Sequence, residues 1–276
     1  MLQPTASHAA VPSFLYGTAC KEERTEELTS LALAAGFRAI DTANQRKHYV
    51  EAAVGAAVAA SGVPRDELFL QTKFTYARGQ DRRLPYDAKA PLAEQVRQSF
   101  AGSQEHLGVE VIDSFVLHGA WAHGWSPEDR EVWGAMEALH AAGVVRSLGV
   151  SNIDLYQLSG LCEVASVAPA WVQNRCFTRS GWDRSIRAFC RQRGIVYQGF
   201  SLLTANQREL SSPAMAEIAR RAGGTVAQVV FAFARTVGML PVTGTSDRGH
   251  MDEDLASLAI SLDPADVERM ERLSGG

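Results

Sequence analysis

The chain has 276 residues, of which 46% are hydrophobic and 21% charged, and its 27 basic and 31 acidic side chains leave a net charge of −4. That composition lies close to the soluble globular average and excludes a disordered chain, a collagen-like fibre and a disulfide-stapled miniprotein. A mildly acidic chain exerts no general pull on nucleic acid or anionic lipid, so neither is expected as a partner.

No apolar run approaches the ~20 residues that a membrane helix needs. The Ala-rich stretch over residues 52–60 is too short and follows a charged residue. The start of the chain, MLQPTASHAAVPS, has no basic region followed by a hydrophobic core, and a cytoplasmic protein is expected. Cys20, Cys162, Cys176 and Cys190 form no CxxC pair and no zinc-ligand spacing with histidines. All four are expected as free thiols, since a buried cysteine packs as a small hydrophobe.

In chain order, residues 14–17 form a short apolar run ending in Gly-Thr. Residues 23–35 follow with Leu28, Leu31, Ala32 and Ala35 at helical spacing, and Gly36 stands where a left-handed glycine ends a helix. Residues 37–40 read as a strand, 50–61 as a helix, 68–72 as a strand, 92–107 as a helix and 112–117 as a strand. Residues 130–142 are helical up to Gly143, and 145–150 make the fifth strand. The alternation continues with a helix at 154–165, a strand at 170–172, a helix at 184–192 and a strand at 195–197. Helices at 213–222 and 225–236 precede a strand at 240–242, and helices near 250–257 and 264–273 close the chain. Strands alternating with helices imply a parallel sheet, and eight such units in ~250 residues match a (β/α)8 TIM barrel. A doubly wound open sheet is the rival, but the first strand–helix turn, GTACKEE, carries no G-x-G-x-x-G. Residues 1–276 are expected to form one barrel domain, with 1–12 a flexible leading segment.

A TIM barrel carries its chemistry where its strands end. Asp41 follows the second strand, Lys73 the third and His118 the fourth. Ser151 and Asn152 follow the fifth, Gln173 ends the sixth, Phe200 and Ser201 follow the seventh, and Gly244, Thr245 and Ser246 follow the eighth. Each has a bland explanation: a turn aspartate, a snorkelling lysine, a satisfied core histidine. Their joint placement favours function. An Asp and a Lys on neighbouring strands, about 5 Å apart at the backbone, are close enough to pair. Buried ion pairs stabilise weakly, so such a pair at a pocket floor points to chemistry.

These residues and their motifs resemble the aldo-keto reductases. AIDTAN, LFLQTKF, IDSFVLHG, LGVSN, VQN and GTS followed by HMDED occur in the family's order, from about Gly17 to the last helix. The resemblance implies a TIM barrel that reduces aldehydes or ketones with a nicotinamide cofactor, usually NADPH. Of the family's Asp-Tyr-Lys-His tetrad it assigns Asp41, Lys73 and His118 directly. The tyrosine is displaced: its usual position holds Arg46, and NQRKHYVEAAVG has two extra residues before the helix. Counting back from the helix gives His48, and one further shift gives Tyr49, which is taken as the proton donor because it is the only phenol in the segment.

A tyrosine suits this chemistry because hydride delivery builds negative charge on oxygen that a proton must meet. A free phenol, with a pKa near 10, is a poor acid at neutrality. Lys73 is expected to lower that value, with Asp41 holding Lys73 and His118 orienting the carbonyl. Resemblance also assigns Asp41, Ser151, Asn152, Gln173, Phe200 and Ser201 to the nicotinamide end. Thr18, Ala19 and Lys21 fall near the ribose and pyrophosphate. Gly244, Thr245, Ser246, His250, Glu253 and Asp254 fall to the adenosine end. Ser246 or Asp247 also reads as a helix N-cap. Many members carry Lys in place of Gly244 and Arg in place of His250, so the expected preference for NADPH is modest and NADH use stays open. Trp121 and Trp125 are expected at the substrate mouth or in loop packing. A nucleotide-binding regulatory or sensor protein of the same fold is the alternative, favoured by the displaced tyrosine. A barrel hydrolase is disfavoured, because no strand-end carboxylate pair or metal cluster is present.

Overall fold

Eight short strands close into a parallel barrel in the computed structural model, which describes residues 11–273. They are β1 (Leu15–Gly17), β2 (Ala39–Asp41), β3 (Phe69–Phe74), β4 (Ile112–Leu117), β5 (Val145–Ser151), β6 (Trp171–Arg175), β7 (Val196–Phe200) and β8 (Met239–Thr243). Neighbours pair in chain order and β8 returns to β1 through Leu15 opposite Val242. The expected TIM barrel is therefore observed. Residues 1–10, most of the segment expected to be flexible, lie outside the described residues.

Helices wrap the barrel at the expected places. Leu92–Leu107 and Pro213–Ala222 match the predicted spans. Gly36 adopts φ 115° and ends the helix Thr25–Ala35. β2 begins two residues later than expected, because Phe37 first packs edge-on against Phe14 in the layer between barrel and helices. The helix predicted from 130 starts at Pro127, where Ser126 and Asp129 cap each other's backbone N–H groups. Helix Glu51–Ala60 lies hard against Leu92–Leu107: a Cβ on Gly55 would stand 1.9 Å from the His106 carbonyl oxygen.

The main apolar core fills the space between strands and helices. Inside the barrel a smaller cluster of Leu15, Ala39, Phe69, Trp171, Leu240 and Val242 is apolar. Further along the same strands the interior turns polar. Gln71 sits two residues after Phe69 on β3 and Gln173 two after Trp171 on β6, so both share the inward face of the pleat. All four described-residue cysteines are free, as expected.

Candidate active site

Asp41 ends β2 and is paired in register with Gln71 of β3, so Lys73 lies one pleat further up the neighbouring strand. The Lys73 Nζ donates to Asp41 Oδ1 at 2.6 Å and to the Thr42 carbonyl at 2.8 Å. Both side chains are out of solvent, at 1% and 6% exposure. Burial lowers the Lys73 pKa, and the Asp41 carboxylate works against that shift. The expected strand-end pair is thus formed.

Asp41 also rests on a layer of amides. Gln71 Nε2 donates to Asp41 Oδ1 at 2.7 Å and Gln173 Nε2 at 3.2 Å. Both also donate to Gln198 Oε1, while Gln198 Nε2 and Ser114 Oγ return to Gln71 Oε1 at 3.0 and 2.9 Å. Gln71, Gln198 and Ser114 were not singled out by sequence. The available signal is a polar residue two positions before a strand-end residue that the sequence did single out, and so on the same face: Gln71 before Lys73, and Gln198 before Phe200.

Tyr49 arrives from the loop between β2 and the next helix. The two extra residues are taken up by a turn in which the His48 and Tyr49 N–H groups both donate to the Gln45 carbonyl. Gln45 Nε2 is bonded to the Gly79 carbonyl, tying the turn to the loop after β3. The result places Tyr49 over the lysine, with Lys73 Nζ 5.3 Å from its ring centre, and edge-on to His118 at 6.0 Å. His48 is exposed, and its Nδ1 faces the Cys20 thiol at 3.7 Å.

One electrostatic expectation fails. The Tyr49 pKa is raised, first by burial and then by the charges of Asp41 and of the Cys20 side chain. The Lys73 charge is already met by Asp41, and its Nζ lies at the ring rather than in a hydrogen bond to the phenol. His118 is shifted the other way, from 6.5 to about 3, by burial and then by Lys73 and His48. Its imidazole is neutral at physiological pH. The Thr75 hydroxyl meets His118 Nδ1 at 2.7 Å, a partner that sequence reasoning did not assign.

His118, Thr75, Gln45, Arg78 and Asn152 line a cavity of about 260 Å³ above the barrel rim. A larger groove, about 740 Å³, lies by Gly55, Leu68 and Val111 at the opposite ends of the strands and contains none of these groups. Trp121 is half-buried beneath the Arg78 guanidinium, 4.6 Å from its ring. Neither Trp121 nor Trp125 is in the cavity wall, and Trp125 packs edge-on against Trp133.

The other rim residues divide. Asn152 Nδ2 donates to the His118 carbonyl and to Ser151 Oγ, and Ser151 Oγ donates to the Gln173 carbonyl. Phe200 and Ser201 are half-buried at the end of β7. Thr18 is buried, with its N–H and hydroxyl both on the Asp41 carbonyl; Ala19 is exposed. Lys21 bonds the Gly244 carbonyl and lies over the Tyr16 ring at 5.9 Å. After β8, Gly244, Ser246, His250 and Glu253 are exposed and Thr245 is half-buried. Asp247, not Ser246, caps the following helix by accepting from the His250 N–H. Asp254 is turned inward: it accepts from the Thr243 hydroxyl at 2.7 Å, and burial raises its pKa to about 6.

A sequence model of the aldo/keto reductase family matches residues 14–274. The chain belongs to this family. Aldo-keto reductases of Mycolicibacterium vanbaalenii and Mycolicibacterium paratuberculosis are 30% and 31% identical to it, each over 92% of this chain and over 85% and 83% of the relatives. A deoxymugineic acid synthase of Zea mays is 28% identical over 95% of this chain and 88% of its own. Among solved structures, an aldo/keto reductase from Brucella melitensis superposes with a TM-score of 0.81 at 24% identity, covering 95% of both chains. A silkworm aldo-keto reductase complexed with NADPH gives 0.83 at 22%, over 96% of this chain and 85% of that one. Oxidoreduction of carbonyl groups is the family's chemistry. As an aldo/keto reductase this chain holds no group of three metal-ligating side chains, and no helix long and apolar enough to cross a membrane, among its described residues.

Proposed function

We propose that this aldo/keto reductase reduces an aldehyde or ketone to the alcohol with NADPH, and that Tyr49 supplies the proton. The observation that carries the reading is the stack of Tyr49 over the Asp41–Lys73 pair with His118 at its edge. The nicotinamide, when bound, supplies the hydride.

The residues present fit such a cofactor unevenly. At one end, the Asn152 and Gln173 amides and the Phe200 ring offer hydrogen bonds and a flat surface suited to a carboxamide ring. At the other, Lys21 is the cation nearest Gly244, while Arg248 is paired with Asp252 at 3.0 Å and Asp247 sits at the helix start. A carboxylate there opposes a 2′-phosphate, which supports a modest rather than strict preference for NADPH.

In the reaction, the Tyr49 hydroxyl gives its proton to the carbonyl oxygen as negative charge builds there. Burial keeps that phenol protonated across the neutral range. The neutral His118 is held through Nδ1 by Thr75, which leaves Nε2 to hydrogen-bond the same oxygen. Lys73 offsets the Asp41 carboxylate beneath the proton donor, and the glutamine layer fixes Asp41.

The test is Tyr49→Phe assayed with NADPH and a panel of aldehydes. Turnover is expected to be abolished while NADPH affinity, read by fluorescence quenching, stays nearly intact; His48→Gln is expected to be milder. Retention of most turnover by Tyr49→Phe rejects the assignment. NADPH binding by the wild-type chain without reduction of any aldehyde is the outcome that the nucleotide-sensor alternative requires.

A further inference from the structure

The loops that follow β2 and β3, residues 42–50 and 75–83, carry Arg46, Lys47, Arg78, Arg82 and Arg83 against a single carboxylate, Asp81. All five cations are exposed, on a chain whose net charge is −4. Asp81 is engaged by the Arg83 guanidinium, which holds its carboxyl down to about 2. The loops are fastened together: the Arg46 N–H donates to Gln80 Oε1, Gln80 Nε2 to the Asn44 carbonyl, and the Arg83 guanidinium to the Arg46 carbonyl. This fixes a concentration of positive charge on one side of the site. The segment after β8 lies elsewhere on the rim, beyond β1 in barrel order.

Arg78 is the member of the group that lines the cavity containing His118. Its guanidinium bonds the Ala120 and Trp121 carbonyls and stacks on Trp121, so it is held in place. It makes no ion pair among the described residues. The buried Asp129 carboxylate, bonded to the neighbouring Tyr76 hydroxyl, is already filled by that hydroxyl, the Trp121 N–H and both donors of Ser126. The loop after β4, residues 118–126, contains no carboxylate. A guanidinium has five N–H donors, and Arg78, which lines the cavity, gives two of its nitrogens to carbonyls and has no charge partner among the described residues.

We propose that the carbonyl substrate is an anion, carrying a carboxylate or phosphate that Arg78 receives while the basic loops draw it in. The inference rests on the reductase reading of the same site. A cavity of about 260 Å³ suits a small molecule rather than a macromolecule.

The test compares kcat/KM at saturating NADPH for matched pairs: 4-carboxybenzaldehyde with 4-carbamoylbenzaldehyde, and glyceraldehyde 3-phosphate with glyceraldehyde. The two pairs separate carboxylate from phosphate. The anionic member is expected to be favoured about tenfold or more, the size of one charge-assisted contact. Raising salt from about 0.02 to about 0.5 M is expected to erode that ratio. Arg78→Met is expected to cut the ratio about tenfold and Arg78→Lys to restore part of it. Lys47→Gln with Arg82→Gln, neither of which has a hydrogen bond to lose, is expected to flatten the salt dependence. Calorimetry on the NADP-loaded protein with 4-carboxybenzyl alcohol and its amide gives a second readout. Anion-selective binding without turnover keeps this inference and rejects the reductase reading; turnover of both members at equal kcat/KM does the reverse. Equal or absent binding of the two alcohols overturns the proposal, and so does a polyanion such as heparin binding where neither small anion does.

Discussion

Replacing Lys73 by Met separates what its charge does from what its burial does. Its Nζ lies 5.3 Å from the centre of the Tyr49 ring. One unit charge at that distance contributes ~3 kcal/mol at an effective dielectric of ~20, or about two pKa units on the phenol. Asp41 opposes nearly all of it, because its carboxylate is only 2.6 Å from the same Nζ. The pair acts as a short dipole, and burial decides the Tyr49 pKa. Lys73→Met uncovers the carboxylate, which keeps the Gln71 and Gln173 amide donors. The phenol should then weaken as an acid by about two further units. About half of such a shift passes into the rate of proton transfer, giving a fall in kcat of about tenfold. Adding Asp41→Asn removes the exposed charge, so the double variant should turn over several-fold faster than Lys73→Met alone. The assay is steady-state aldehyde reduction from pH 6 to 9, with thermal melts to confirm folding. A single variant within about threefold of wild type, or a double variant no faster than the single, would refute the electrostatic argument.

Two further outcomes follow from the same structure. His118 titrates at about 3 when folded and at 6.5 in its ordinary state, so between those values the unfolded chain binds a proton that the native one does not. Native stability should fall as pH drops through that window. Asp254, raised to about 6, works in the opposite direction. Comparing His118→Gln with wild type isolates the histidine: urea titrations at pH 7 and pH 4 should show the variant gaining ~3 kcal/mol relative to wild type on acidification, and a constant difference would reject the neutral imidazole. Gly55→Ala would place a methyl against the His106 carbonyl oxygen, forcing helices Glu51–Ala60 and Leu92–Leu107 apart. The variant should lose ~2 kcal/mol despite alanine's better helix propensity, and an unchanged urea midpoint would show the contact to be looser than described.

The sequence alone determined the architecture and much of the rim. Helical spacing, the alternation of short apolar strands and stops such as Gly36 are local properties, and local steric preference sets them before any tertiary contact forms. Asp41, Lys73 and His118 were legible for the same reason: each stands at a strand end, where a barrel must present it. What the tertiary structure decided are the non-local questions. Sequence spacing left Tyr49 and His48 open; the turn bonded to Gln45, and Gln45's own bond to Gly79, put the phenol over Lys73 and the imidazole outside. Gln71 forms one layer with Gln173 and Gln198 only because barrel closure brings β3 across from the neighbouring strands β6 and β7. The direction of the Tyr49 shift depended on how deeply the ring is buried and on how completely Asp41 meets Lys73. A linear pattern specifies which face a side chain takes; distance, desolvation and the partner already holding a charge are sums over the folded molecule.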